Sequence, residues 1–127
     1  MIIANDEHIC IASKKGVCEC DKDGLWVESL QRDFGINVTV PVFWFSRIKV
    51  QPQYYNTGVG RDMMLKLIEI ADERNIAIFN APNPYGNRDM ESLTKFFEGF
   101  GFQRIYDDEG NMCLLRLPKG TRNEHTC

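Results

Sequence analysis

The sequence lacks any long hydrophobic run: within its 127 residues, the longest apolar stretch covers only residues 40–45. A helix that crosses a bilayer needs about 20 apolar residues, so this stretch predicts a strand and not a membrane span. The N-terminus also lacks the basic segment and long apolar stretch that a secretion signal requires. We therefore expect a cytoplasmic protein without membrane association.

An excess of basic residues is also missing. The chain has 15 Lys and Arg residues against 18 Asp and Glu residues, which gives a formal net charge of −3. General nucleic-acid binders usually carry a basic face, so we expect no general nucleic-acid binding. The mildly acidic balance weakly favours a cationic acceptor, such as a lysine, an N-terminus or a polyamine.

Metal-ligand motifs are scarce. The chain has two histidines, His8 and His125, near opposite ends, and an odd number of cysteines, which is five. Cys18 and Cys20 form a C-x-C pair, and this is not the two-residue spacing of zinc knuckles. We therefore expect free thiols and no metal site.

The remaining sequence indicates one compact domain at residues 1–118, followed by a polar tail at residues 119–127. Periodicity and turn residues predict the order hairpin, short helix, long strand, helix, strand, helix, hairpin. These elements are predicted at residues 8–13 and 17–20, 25–34, 41–50, 60–75, 76–81, 88–100, and 102–107 with 112–117.

Two details of this assignment matter later. A strand at residues 25–30 competes with the first helix. In the second helix, the spacing turns Asp62, Glu69 and Asp72 away from the apolar face. The central strand–helix–strand unit predicts a parallel strand pair within an otherwise antiparallel sheet, so the expected fold class is α/β with a mixed sheet.

The segment VQPQYYNTGVGRDMM, residues 50–64, lies between the long strand and the second helix. A glycine loop before a helix can cradle a phosphate, because the first backbone N–H groups of the helix have no partner within it. Thr57 would add a hydroxyl group and Arg61 a positive charge. A plain strand-to-helix turn is the more ordinary explanation of this loop on its own, because two glycines before a helix are common, and the spacing matches neither a Walker loop nor a dinucleotide fingerprint.

The neighbourhood of this loop decides between the two interpretations. The loop reads Val-x-Pro-x-x-Tyr-x-x-Gly-x-Gly, and about forty residues later the chain reads Phe-Phe-Glu-Gly-Phe-Gly-Phe. Together these motifs resemble the acetyl-CoA signature of the GNAT N-acetyltransferases, in particular small, phage-type members with a shortened N-terminal half. The resemblance extends from Pro41 to about Leu117 and implies a GNAT-like acyltransferase fold.

The resemblance implies a site for acetyl-CoA as co-substrate. The backbone of the long strand would hold pantetheine, the loop amides would hold the pyrophosphate, and the thioester would lie between Asn80 and Asn83. The implied cofactor-binding residues are Ile48, Lys49, Val50, Tyr55, Asn56, Thr57, Gly58, Val59, Gly60, Arg61, Asn83 and Phe97.

Three positions depart from the family pattern. Tyr55 stands where the family has Gln or Arg, Phe97 replaces the Tyr that protonates the leaving thiolate, and Met90 replaces a frequent Asn. As catalytic candidates, the sequence offers Glu28 for the base and Tyr85 for the acid, and Tyr106 is an alternative to Tyr85.

We therefore expect an N-acetyltransferase that moves an acetyl group from acetyl-CoA to a primary amine by direct attack in a ternary complex. The amine would be a protein lysine, an N-terminus or a small amine. The alternatives are a catalytically impaired protein of the same fold that acts by contact with a partner, and an unrelated small interaction domain. The resemblance is also compatible with a homodimer.

Overall fold

The computed structural model describes residues 1–22, 25–82 and 89–119, with the backbone alone at residues 25 and 26. These residues form one mixed seven-stranded sheet in the order β1-β2-β3-β4-β5-β7-β6, with helices on both faces. The strands are β1 (Ile2–Ala4), β2 (His8–Ser13), β3 (Gly16–Lys22), β4 (Val42–Val50), β5 (Ala77–Asn80), β6 (Gln103–Tyr106) and β7 (Met112–Arg116), and the α-helices are α1 (Leu25–Phe34), α2 (Val59–Arg74) and α3 (Met90–Glu98).

The predicted order of elements is confirmed. β4 and β5 are parallel and the other neighbouring pairs are antiparallel, as the strand–helix–strand unit predicts. The segment that could have been a strand is α1. Sequence analysis missed β1, whose Ile2 and Ile3 are both exposed, so the alternation that marks a half-buried strand is absent there. Among the described helices, none has the length and apolarity that crossing a bilayer requires.

The sheet separates two apolar clusters. Helices α2 and α3 cover one face, where Phe45, Leu67 and Phe97 belong to the larger cluster. Helix α1 covers part of the other face, where Leu30 packs with a smaller cluster that includes Phe79. Burying a side chain of this size stabilises the fold by about 1.5–3 kcal/mol, so each helix is held mainly by its apolar face.

Gly16 lets the β2–β3 hairpin lie close to the end of β4. It pairs with Val50 in the antiparallel register, and a Cβ atom at this position would lie 2.5 Å from the carbonyl oxygen of Lys49. The backbone N–H of Gln51 also donates to the carbonyl oxygen of Lys15 at 2.8 Å. The hairpin therefore fixes the point at which the glycine loop begins.

Asp72 lies outside the buried apolar face of α2, as the helical spacing predicts, yet it contacts another element of the fold. It accepts hydrogen bonds from the two terminal guanidinium nitrogens of Arg116 on β7, each at 2.9 Å. Arg116 is only 2% exposed, and its Nε donates to the carbonyl oxygen of Phe100 at 2.7 Å. The backbone N–H of Lys119 also donates to Asp72, whereas residues 120–127 of the predicted tail lie outside the described part.

Candidate functional site

A gap opens in the sheet between β4 and β5. Their parallel pairing covers only three residue pairs and ends at Trp44 and Phe79. Strand β4 continues to Val50, but β5 ends at Asn80, so the β5 side of β4 beyond Trp44 has no strand neighbour among the described residues. Backbone groups on that side can therefore pair with an extended ligand, as they would with an added strand.

A β-bulge in β4 lies beside the start of this gap. In the pairing with β3, Arg47 lies opposite Glu19 and Phe45 lies opposite Cys20, so Ser46 is an extra residue on β4. A bulge bends its strand and increases the local twist. The bulge therefore lies close to the residues at which β4 and β5 stop pairing.

The glycine loop lies at the end of the gap. After a 3₁₀ turn at Pro52–Tyr54, Asn56 and Gly58 adopt left-handed conformations with φ of 62° and 88°. Gly58 is the residue before α2, and no side chain of the described residues caps this helix start. Among the described residues, none accepts a hydrogen bond from the backbone N–H groups of residues 56–61. These groups are thus free to bind an anion, and the helix dipole favours one there.

The first turn of α2 lies against the open part of β4. A Cβ atom on Gly60 would be 3.6 Å from Val50 and 3.9 Å from both Ile48 and the ring of Phe96 on α3. Arg61 is exposed in the same turn. The loop, the strand edge and α3 therefore meet at one place, with a positive charge beside them.

Asn80, the last residue of β5, contributes an unpaired polar group at the gap. The residue is 3% exposed, and its side-chain Nδ2 is buried without a hydrogen-bond partner in the described part of the chain. A buried donor of this kind costs roughly 1–3 kcal/mol when it stays unpaired. A ligand oxygen within hydrogen-bond distance would satisfy it.

The predicted cofactor residues occupy the strand, the loop and the helix start around this gap. Ile48 and Val50 are half-buried against the larger core, while Lys49 is exposed on the same strand. Tyr55 is 60% exposed at the loop. The structure thus brings together the predicted strand backbone and loop amides of residues 48–61, whereas Asn83 lies outside the described residues.

Phe97 lies deeper than the prediction implied. Its ring is 2% exposed and makes edge contacts with Phe45 and Phe102 in the core. The neighbouring Phe96 is half-buried, and its ring approaches Gly60 at the helix start. Phe96 is therefore the more accessible aromatic residue of α3 at the gap, and a contact of Phe97 with the cofactor stays a prediction.

Of the two catalytic candidates, Glu28 is exposed on α1 and Tyr85 lies outside the described residues. The structure does not place Glu28 in a hydrogen bond or ion pair with another described residue. Both assignments therefore stay predictions.

Sequence analysis missed a polar network on the α1 side of the sheet. His8 Nδ1 on β2 donates a hydrogen bond to Asp21 Oδ1 on β3, at 2.6 Å, and Ser46 donates to the other oxygen of Asp21. His8 Nε2 lies 3.4 Å from Glu19 Oε2, and Arg47 donates to the remaining oxygen of Glu19. The bulge explains why both Ser46 and Arg47 reach this face.

The electrostatics of this network favour the charged form of Asp21. Burial alone would raise the pKa of Asp21, but hydrogen bonds from Ser46 and His8, with the charge of His8, outweigh it and lower that pKa. Period-two alternation could have indicated which of these residues lie together. His8 and Cys10 share one face of β2, and Glu19 and Asp21 share the face of β3 on the same side of the sheet.

Comparison with known proteins identifies the fold through structure and not through sequence. No protein-family model and no curated protein matches the sequence. The anti-CRISPR protein AcrVA5 superposes with a TM-score of 0.58 at 14% identity, over 86% of this chain and 97% of that one. The Bacillus subtilis N-acetyltransferase YlbP, solved with coenzyme A, gives 0.56 at 19% identity, over 87% of this chain and 67% of that one.

The fold is that of the GNAT acetyltransferases. An aminoglycoside 6′-N-acetyltransferase complexed with coenzyme A also shares it, with a TM-score of 0.52 at 10% identity, over 87% of this chain and 72% of that one. The chain thus spans nearly all of AcrVA5 but only about two thirds of the other two proteins. Identities this low establish the GNAT fold, and the activity has to be argued from the site.

Proposed function

We propose that the protein is an acetyl-CoA-dependent N-acetyltransferase. The observation that carries the proposal is the meeting of the β4–β5 gap with the uncapped start of α2. Among the described residues, the gap offers backbone groups of β4 that have no strand partner, and the start of α2 offers free amide groups. A ligand that contains amides and ends in a pyrophosphate would need the first for its amides and the second for its pyrophosphate. Two GNAT-fold proteins similar to this chain were solved with coenzyme A.

The described residues fit this co-substrate. The amides of residues 56–61 would bind the pyrophosphate and the backbone of Ile48, Lys49 and Val50 would bind pantetheine, while Asn80 Nδ2 offers a buried donor at the inner end of the gap. Tyr55 would add a phenol without a charge, and Arg61 the charge that Tyr55 lacks. Acetyl-CoA would supply an acetyl group activated as a thioester.

The acceptor in this proposal is a primary amine, on a protein or on a small molecule. Attack by the amine nitrogen forms the amide bond and breaks the carbon–sulfur bond, so the nitrogen loses one proton and the sulfur gains one. Glu28 is proposed as the base and Tyr85 as the acid. The buried ring of Phe97 has no hydroxyl group to give a proton, so the acid has to come from another residue or from water.

The same position of Phe97 supports a second candidate function. A chain that keeps the cofactor site but lacks an acid would bind acetyl-CoA and act on a partner by contact. This candidate predicts cofactor binding without transfer to any amine.

Thermal unfolding with and without acetyl-CoA tests the proposal. A ligand at about a hundred times its dissociation constant stabilises the native state by roughly 2.7 kcal/mol, which raises the melting temperature of a domain of this size by several degrees. We expect this increase for the wild-type protein and its loss in Gly58→Glu, because a carboxylate there would repel the pyrophosphate.

Gly110→Glu is the matched control. Gly58 and Gly110 both have a positive φ, at 88° and 83°, and both have open space where a Cβ atom would go. The two substitutions therefore strain the backbone similarly, but only Gly58 lies at the proposed pyrophosphate site. Equal loss of the acetyl-CoA effect in both variants, or no effect in the wild type at millimolar ligand, would contradict the proposal.

Mass spectrometry of an amine panel incubated with acetyl-CoA then separates the two candidate functions. The panel should contain peptides with lysine or a free N-terminus, polyamines and aminoglycosides. Acetylated product supports the enzyme. A thermal shift without product on any of these amines favours the contact-acting protein.

A further inference from the structure

We propose that His8, Cys10 and Glu19 form a binding site for a zinc-type divalent cation on the α1 side of the sheet. The three residues belong to a square of cross-strand neighbours. In the antiparallel register, His8 lies opposite Asp21 on β3 and Cys10 lies opposite Glu19. Because side chains two residues apart share a face of a strand, all four point to the same side.

The distances suit a shared ion. One ligand atom from each of His8, Cys10 and Glu19 lies within 4.8 Å of the other two, and His8 Nε2 is 3.4 Å from Glu19 Oε2. Ligand atoms around a tetrahedral Zn²⁺ stand about 3.5 Å apart, given metal–ligand distances of roughly 2.0–2.3 Å. Small side-chain rotations therefore suffice to bring the three atoms to one centre.

Asp21 orients the imidazole for this role. Its Oδ1 lies 2.6 Å from His8 Nδ1 and accepts a hydrogen bond from the N–H of that nitrogen. The lone pair of His8 is then on Nε2, the atom that faces Glu19. A carboxylate behind a histidine in this way is the usual support of a metal-binding imidazole, and its loss typically weakens metal affinity about 10–100-fold.

The carboxylates around this position favour the binding of a cation. The carboxylates of Glu19 and Asp21 face it, and the guanidinium of Arg47 binds Glu19 Oε1, which leaves Oε2 available. The side chains of His8 and Glu19 are 31% and 19% exposed, so an ion can reach them. One nitrogen, one sulfur and one oxygen ligand select zinc over magnesium or calcium, and three protein ligands leave a fourth position for water.

The C-x-C pair that the sequence analysis considered takes no part in this site. Cys18 and Cys20 point to the opposite face of the sheet, into the larger core. The proposed ligands instead combine one cysteine with residues from both strands of the hairpin.

Cobalt(II) titration of the full chain, stripped of metal with a chelator, tests the proposal. A thiolate bound to Co²⁺ gives a charge-transfer absorption band, and we expect this band to saturate at one ion per chain and to disappear when Zn²⁺ is added. Cys10→Ser should lose the band, and Asp21→Asn should weaken Co²⁺ binding about 10–100-fold.

Matched variants separate this site from other ligands. Cys113→Ser, and a variant with both His125→Gln and Cys127→Ser, remove a thiol or a histidine elsewhere in the sequence and should keep the band. Circular dichroism checks that each variant is folded. If Cys10→Ser does not fold, His8→Gln takes its place. We expect Zn²⁺ to raise the melting temperature of the wild-type protein but not that of His8→Gln.

No charge-transfer band in the wild type, or a band that survives Cys10→Ser, would overturn the proposal. His8 would then serve only in the hydrogen-bonded network with Asp21. The titration contains no acetyl-CoA, so its result is independent of the proposed acetyltransferase activity.

Discussion

At the scale of single residues, the ion pair between Asp72 and Arg116 joins α2 to β7. Arg116 is almost fully buried, and the pair is bidentate. Removing one partner of such a pair leaves a buried charge without compensation, which costs about 3–5 kcal/mol. We expect Asp72→Ala to lower the free energy of unfolding by about 3 kcal/mol in urea denaturation.

A double variant is the control for this prediction. Asp72→Leu together with Arg116→Met replaces the pair by apolar side chains of similar size and should recover most of the lost stability. If the double variant is as unstable as Asp72→Ala, the cost comes from lost packing or from the bond to Lys119 and not from the unpaired charge.

Sequence patterns could not reveal this pair. Helical spacing correctly places Asp72 away from the apolar face of α2, but it contains no information on Arg116, which lies 44 residues later on another strand. The limit applies in part to the network of His8, Glu19 and Asp21: alternation indicates which residues share a face of each strand, but the register decides which of them lie opposite one another. Contacts of this kind become visible only when the topology is known.

At the scale of elements, the close approach of the β2–β3 hairpin to β4 sets the start of the glycine loop. Gly16→Ala would place a Cβ atom 2.5 Å from a backbone oxygen, which cannot rotate away as a side chain can. Overpacking of this kind typically costs about 1–3 kcal/mol. We expect a loss of stability in that range by urea denaturation.

Gly60→Ala is the comparison for Gly16→Ala. Its added Cβ atom would meet only side chains, at 3.6 Å or more, and it lies in the first turn of a helix, where alanine is favourable. Its stability should therefore equal or exceed that of the wild type. If Gly16→Ala is as stable as Gly60→Ala, the hairpin can move away from β4 and does not fix the loop.

Local patterns account for most of the elements. Apolar spacing and turn residues predict all three helices, both hairpins and the parallel strand pair, because each signal lies within one short segment. They also predict the glycine loop before α2. They miss the bulge at Ser46 and the gap beyond Trp44, because both arise from how β4 pairs with its two neighbours.

At the scale of the whole molecule, several carboxylates make stability depend on acid pH. The backbone N–H of Ser92 lowers the pKa of Asp89, Arg104 lowers that of Glu91, and the backbone N–H of Asn111 lowers that of Asp107. The unfolded chain therefore binds more protons than the native chain in acid. The stabilisation is present above the ordinary carboxyl pKa of about 4 and is lost as the pH falls through the lowered values.

Urea unfolding at pH 6 and pH 3 measures this effect. The midpoint should be lower at pH 3, and the difference between the two midpoints should be smaller in Asp107→Asn, which lacks the Asp107 carboxyl group. A wild-type midpoint that is equal at the two pH values would contradict the prediction.

The gap between β4 and β5 has a consequence for the protein in solution. Most sheets keep their unpaired strand backbone at the periphery, where charges, prolines or short strands discourage pairing with other chains. Within the described part of this chain, such backbone lies in the interior of the sheet, on the β5 side of β4 beyond Trp44. A ligand that fills the gap would therefore also act as a solubility factor, since it would cover a template on which a second polypeptide could otherwise add a strand.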